Sequence, residues 1–434
     1  MATRYINAKT ARLYKSTIGS SYEQILIYGE EVKTTGSPIN GRIAAVYRSK
    51  YQGFVSVHQI TEKSALEIYY IDVGQGDAAL VVTPNKKKIL IDGGFNNQAK
   101  GFLQWKYQLA DLTAPKLEID LLVLSHADQD HLKGLIDILQ HDRIVIKKII
   151  HNGIGMFEGT DEKSGDLSTD KKHLISYHST IGDLQGLQLR GTFDKWIALV
   201  KQLNIPYSAV CSETGILDIG DPKIAIEIIG PIVEQSLTGN KQLKWFGNHA
   251  HTINGHSVVF SITYDKVRML FSGDVNIEGS AYLLAHPEAA EKLKAHVLKT
   301  PHHGSHEFHP PFLAAVRPQI SVVSSGDSPD HGHPRANFIG AIGLASRSKE
   351  PLVFSTEIAS TFTDANEVDL KSIIPNHVLN NADIRGARLF KKRLNGMINV
   401  RTDGKNLYAM RRVTAGYWWE SYGPIIAEDY PSVL

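Results

Sequence analysis

A chain of 434 residues exceeds one ordinary domain and predicts two or three. Hydrophobic residues make up 42% and charged residues 21%, enough for a real core under a soluble surface, and a net charge of +2 does not by itself announce a polyanionic partner. The lone cysteine, Cys211, excludes an internal disulfide framework and fits a reducing compartment, and no apolar run reaches bilayer length.

The opening stretch, MATRYINAKTARLYKS, lacks the apolar segment of a signal peptide, so the expectation is a cytoplasmic protein without a membrane segment. From there to about residue 61 the chain reads as short strands between polar turns. Alternation shows in Ala11-Arg12-Leu13-Tyr14, Gln24-Ile25-Leu26-Ile27-Tyr28 and Ile43-Ala44-Ala45-Val46-Tyr47, punctuated by Gly29, Gly36, Gly41 and Gly53. The order, ILIYGEEV, then AAVYRSKYQGFV, then a short exit, resembles a bacterial SH3-like barrel over 1–64. That resemblance implies a protein partner or another ligand: such modules bind a peptide, a glycan or a neighbouring domain. A sheet extension of the next region is the other reading.

The second region, 65–350, opens with a strand at Leu66-Glu67-Ile68-Tyr69-Tyr70-Ile71-Asp72, a turn at Gly74-Gln75-Gly76 and a second strand over 78–82. No helix follows that Gly-x-Gly, so it is not a dinucleotide fingerprint. Lys88-Ile89-Leu90-Ile91 is a third strand, ending at Asp92-Gly93-Gly94. LLVLSHADQDHLKGL then reads as an apolar strand over 121–124, a polar loop, and a helix over 132–139. Its loop packs four potential metal ligands, His126, Asp128, Asp130 and His131, at a strand end. Imidazole and carboxylate donors without a thiolate suit zinc, manganese or iron. His126 and Asp128 can face one way and Asp130 and His131 another, which suits two neighbouring metals; capping of the helix is the other reading of Asp130.

Residues 144–150 predict a strand ending at His151, and the polar stretch 154–190 an insertion or mobile loop at the site rim. Phe193, Trp196, Ile197, Val200 and Leu203 fall at helical spacing as core contacts, closed by Pro206. A strand over 224–231 begins a second half. His249, His251 and His256 precede a strand over 257–262, and the hairpin returns into Ser272-Gly273-Asp274. VLKTPHHGSH carries His302 and His303, and a strand over 321–326 leads to Gly332-His333-Pro334. The extension 351–434 reads as sheet cover packed on the preceding domain, with an Asp-Gly hairpin over 396–405 and an aromatic stretch from Tyr417 to Tyr422. Basic runs, Lys86-Lys87-Lys88 and Lys391-Lys392-Arg393 among them, read as solvated faces.

HADQDH, with IDVGQGDAALV upstream and TPHHGSH downstream, resembles the metallo-β-lactamase fold in the variant whose second histidine is aspartate. The hydrolase domain of the ComEC/Rec2 competence proteins and their soluble relatives is of this type. The resemblance covers about 66–346 and implies an α/β protein: an αββα sandwich, preceded by the small all-β barrel, without a channel domain. It further implies two ions, Zn2+ or Mn2+, held by His126, Asp128, Asp130, His131, Asp274 and one of His302 and His303, the other histidine touching substrate. Asp274 is expected to bridge with one oxygen on each ion. Asp92 is expected beneath the ions, orienting their ligands. His256 fits the family's further histidine ligand by position, with His151, His249 and His251 as rivals, while the competence-type Asn-x-x-Ser pattern matches Asn254 and Ser257. His333 falls where relatives place a histidine that binds a substrate oxygen or protonates a leaving group. Asp92, Asp130, His303 and His333 form the expected catalytic set.

The implied chemistry is hydrolysis by a metal-activated hydroxide at phosphorus or a carbonyl carbon. A phosphodiesterase, foremost a nuclease acting on nucleic acid, is the leading expectation. Hydrolysis of another ester, of phosphorylcholine or lactone type, is the alternative, and a binding protein with a structural metal site is the third reading.

Overall fold

Residues 1–326, 332–357, 396–413 and 418–429 are described in the computed structural model; Lys391-Lys392-Arg393 and Tyr417 lie outside the described residues. The alternating segments at the start form strands, as their period of two requires. Ala2–Ile6, Thr10–Tyr14, Tyr22–Ile27, Glu31–Ile39, Arg42–Tyr47, Tyr51–Ser56 and Ile60–Thr61 make one antiparallel sheet. Its inner face buries Ile6, Leu13, Leu26, Val32 and Val55. Asn40 and Gly41, both at positive φ, supply the backbone that a two-residue hairpin needs between Glu31–Ile39 and Arg42–Tyr47. This all-β unit meets the rest of the chain where Ile27, Tyr28 and Ala65 pack on Tyr408 and Met410, the two tyrosine rings stacked at 3.8 Å.

The remainder is an αββα sandwich. One sheet has nine strands in the spatial order Tyr207–Ala209, Ile149–His151, Leu121–Val123, Lys88–Ile91, Ala79–Val82, Leu66–Tyr70, Ile398–Thr402, Asn406–Val413 and Trp418–Ile426. The other has seven: Ile216–Leu217, Ile224–Gly230, Val259–Tyr264, Val267–Phe271, Val297–Lys299, Ile320–Val323 and Leu352–Ser355. Leu66, Ile68 and Tyr70 point between the sheets onto Phe260, Met269 and Phe271, while Tyr69 and Ile71 point to outer helices. Burial on both faces is why these strands read as unbroken apolar runs. Gln98–Tyr107, Gln129–Leu139 and Gly191–Gln202 cover the first sheet, and Ile277–Leu284, Pro310–Val316 and Ala336–Ala345 the second.

Three local expectations meet the structure differently. Ile398–Thr402 pairs directly with Leu66–Tyr70, so the segment after residue 396 extends the main sheet as well as covering it. Leu203 is 46% exposed, because it sits at the C-cap beyond the helix whose Phe193, Trp196, Ile197 and Val200 are buried. The polar stretch 154–190 is pinned by short pairings, Phe157 with Leu189, Leu167 with Leu174, and His173–Leu174 with the strand Lys241–Lys244. No helix among the described residues is long and apolar enough to cross a membrane.

Candidate metal centre

Both sheets are parallel where the site forms. Lys88–Ile91, Leu121–Val123 and Ile149–His151 run parallel in one sheet, and Val267–Phe271, Val297–Lys299 and Ile320–Val323 in the other. Parallel register lines up carboxyl ends, so the loops leaving those strands meet at one edge of the sandwich. Asp92, the 125–131 loop, Asp274 and the turn Pro301–Gly304 all leave from such ends.

Asp92, at φ 54, lies under the 125–131 loop. Its carboxylate accepts hydrogen bonds from the Ser125 backbone N–H at 2.8 Å and from His131 Nδ1 at 2.9 Å. With Nδ1 committed as donor, Nε2 of His131 is turned toward Asp274 Oδ2 at 3.2 Å. His303 is oriented in the same manner by Ser324, whose carbonyl accepts from Nδ1 at 2.9 Å. Its Nε2 lies 2.8 Å from Asp274 Oδ2 and 3.5 Å from Asp130 Oδ2. His126 Nε2 stands 3.7 Å from Asp128 Oδ2. Ligand atoms of His126, His131 and Asp274, and of Asp130, His131 and His303, lie within 4.8 Å of one another.

The donor set fits divalent cations. Nε2 of His126, His131 and His303 are all buried without a hydrogen-bond partner, although carboxylate oxygens crowd them. Three orphaned buried nitrogens on convergent rings are costly unless a further group takes their lone pairs. Burial, helped by neighbouring His131, lowers His126 to a pKa of about 3, so its imidazole is neutral and able to donate that pair. Burial and Asp130 push Asp128 up to about 7. Burial opposes charge on His131 and His303, yet Asp274 and the other carboxylates hold both well above the ordinary imidazole value. Such an excess of negative charge is what bound cations would neutralise.

A cavity of about 200 Å³ opens over this cluster, lined by Asp128, Asp130, Asp274, His302, His303 and His333 together with Gln75, Gly76, Asn254 and Gly326. His302 (φ 46) and His303 (φ 52) are consecutive left-handed residues that are not glycine. Such conformations cost on the order of 1–3 kcal/mol each and collect at functional sites. Here they aim the two rings apart, at an interplanar angle of 66°. The His333 ring lies 6.0 Å from that of His302 and 6.2 Å from that of His303.

His256 is a correction: the structure does not bring it to the cluster. Its ring stacks on Phe246, and Nε2 bonds the Lys244 carbonyl at 2.8 Å. Its rivals stay away too. His151 packs on Tyr207, His251 bonds Glu278 at 2.9 Å, and neither these nor His249 line the cavity. Asn254 does line it, with Oδ1 buried and unpartnered. Asp274 Oδ2 faces both His131 and His303, while Oδ1 lies 3.6 Å from Lys299. Sequence reasoning missed Asp77 and Lys299, both buried against the cluster. A charged residue in the buried strand Val297-Leu298-Lys299 was the available signal.

The profile of the Metallo-beta-lactamase superfamily matches residues 71–309. ComE operon protein 3 of Bacillus subtilis (strain 168) is 23% identical over 286 residues, covering 63% of this chain. The chain spans only 30% of that relative's length. Among solved structures, Tm1679, a metal-dependent hydrolase of the beta-lactamase superfamily, aligns at 12% identity with a TM-score of 0.34, covering 67% of this chain and 95% of its own. The metallo-beta-lactamase FIM-1 of Pseudomonas aeruginosa, in a mono-zinc form, aligns at 12% identity with a TM-score of 0.24, covering 60% and 84%.

Proposed function

The chain belongs to the metallo-beta-lactamase superfamily, and from that premise we propose that it is a two-metal phosphodiesterase acting on nucleic acid. The observation that carries the reading is the convergence of His126, Asp130, His131, Asp274 and His303 in two overlapping groups of ligand atoms, with orphaned nitrogens beside an accessible cavity. In this reading His126 and Asp128 hold one ion, Asp130, His131 and His303 the other, and Asp274 both. Zn2+ and Mn2+ are the candidates, because the set divides evenly between three carboxylates and three imidazoles and offers no thiolate. Bound ions of this kind make hydroxide available near neutral pH, by lowering the pKa of water to about 7, and offset charge that develops on the substrate.

The chain's own residues do the rest. Asp92 fixes the ring of His131, and Ser324 that of His303. His302 and His333 stand on the cavity wall, where they contact a substrate oxygen and pass a proton to the leaving group. Asn254 and Gln75 offer amides to a non-bridging oxygen from the same wall. The resemblance of HADQDH and TPHHGSH to the competence-type hydrolases supports nucleic acid over other phosphodiesters, and part of ComE operon protein 3 is similar to this chain. The test is a screen of single-stranded DNA, RNA and a chromogenic diester with Zn2+ or Mn2+. Cleavage that His302→Ala weakens without loss of bound metal supports the reading; inertness toward every diester refutes it.

The same proposal divides the chain into an SH3-like unit, 1–64, a hydrolase domain, 65–350, and an extension, 351–434, that completes its sheet. A separate core in the first unit supports that boundary. The first unit would recruit a protein partner. A cytoplasmic setting agrees with a single, buried cysteine, Cys211.

A further inference from the structure

Lys299 ends a central strand with its side chain turned into the sandwich, only 4% exposed. Its ammonium group is paired with the Asp77 carboxylate, donates a 2.9 Å hydrogen bond to the Gly273 carbonyl, and stands 3.6 Å from Asp274 Oδ1. Asp77 touches the cluster from below, Oδ1 lying 3.4 Å from His303 Nδ1 and Oδ2 3.9 Å from His131 Nδ1. Neither residue lines the cavity, so neither meets substrate.

We infer that Lys299 is the built-in counter-charge of the metal centre: it holds Asp77 out of the ligand shell and occupies the Oδ1 side of Asp274, leaving Oδ2 turned toward His131 and His303. This rests on the two-ion reading above. Two further observations carry it. Asp77, Asp274 and His303 bring ligand atoms within 4.8 Å of one another, so an unrestrained Asp77 is positioned to compete as a ligand. Charge gives the second. Five carboxylates, Asp77, Asp92, Asp128, Asp130 and Asp274, converge here. Two dications neutralise four of those charges, and Lys299 neutralises the fifth.

That balance makes a signed prediction. Asp77→Asn removes a negative charge without removing a ligand, and lets the ammonium group bear wholly on Asp274. Ion affinity should then fall at least tenfold. Adding Lys299→Met to Asp77→Asn restores the balance, and affinity should return to within about threefold of the parent chain. The experiment is titration of the full chain and these variants with Zn2+ or Mn2+ against a competing chelator, with thermal melting to verify folding. A double variant that binds as weakly as Asp77→Asn would overturn the inference, since Asp77 would then be a ligand. Equal affinity across all variants would overturn it too. Should the Asp77 variants not fold, Lys299→Arg, which keeps the charge, must bind within about threefold of the parent; markedly weaker binding by that folded variant overturns the role. Failure of the parent chain itself to take up either ion is a different result, and removes the two-ion reading together with this inference.

Discussion

Asp92 and His131 are joined by a 2.9 Å hydrogen bond between a fully buried carboxylate and Nδ1, and that bond decides which nitrogen the ring turns toward Asp274. Partners of this kind set the tautomer and basicity of a metal-binding histidine, and losing one weakens metal affinity by about 10–100-fold. Asp92→Asn should show a loss of that size in chelator competition, with its melting temperature near the parent's once metal is saturating. Unchanged affinity would mean that the orientation of His131 does not matter to metal binding.

His302 and His303 are neighbours in sequence to which the proposed reading gives separate roles. His302 faces the cavity wall, whereas His303 Nε2 lies 2.8 Å from Asp274. His302→Ala should therefore retain bound metal and lower kcat by about 10²–10⁴-fold, the usual range for loss of an acid–base group. His303→Ala should lose metal as well. Elemental analysis beside steady-state kinetics separates the two.

Gly76 (φ 100) lets its loop approach Asp130 so closely that an added Cβ would fall 1.8 Å from the Asp130 carbonyl oxygen. Gly76→Ala must push that loop away, at a strain of about 1–3 kcal/mol. The expected result is a small drop in melting temperature with a disproportionate loss of activity, because the displaced residue is a proposed ligand. Wild-type activity in that variant would show that Asp130 tolerates displacement.

Acid stability has its own source, away from the metal centre. Burial opposes ionisation of Glu67, but Arg401 and Lys106 outweigh it and lower its pKa to about 2. A carboxylate depressed on folding contributes stability above its unfolded pKa and loses it as pH falls toward the folded value. That contribution should therefore disappear from about pH 4.5 down to about pH 2. It amounts to about 3 kcal/mol, since each pKa unit is worth about 1.4 kcal/mol. Urea melts across this range should show the loss in the parent chain and little of it in Glu67→Gln.

How much of this was legible in sequence depended on how local each feature is. The loop donors His126 to His131 that the structure brings together were readable because one short segment carries them, and Asp274 and the His302–His303 pair because each follows an apolar strand, although sequence did not separate the two histidines. His256 misled for a physical reason. Position before a strand does not fix direction, and the helix His249–Gly255 places Asn254 on the cavity wall while His256 turns back onto Phe246. Lys299 left one signal, a charge in an apolar strand, but its pairing with Asp77 was illegible because it joins residues at the ends of two different sheets. The pairing of Ile398–Thr402 with Leu66–Tyr70 was hidden likewise by distance along the chain.

The central claim is that separate loops converge to hold a pair of cations. Calorimetric titration of metal-stripped full chain with Zn2+ or Mn2+ tests it most directly, run beside Asp274→Ala. The account predicts two ions per chain for the parent and at most one, weakly held, for the variant. No uptake by the parent, or identical uptake by both, would contradict it.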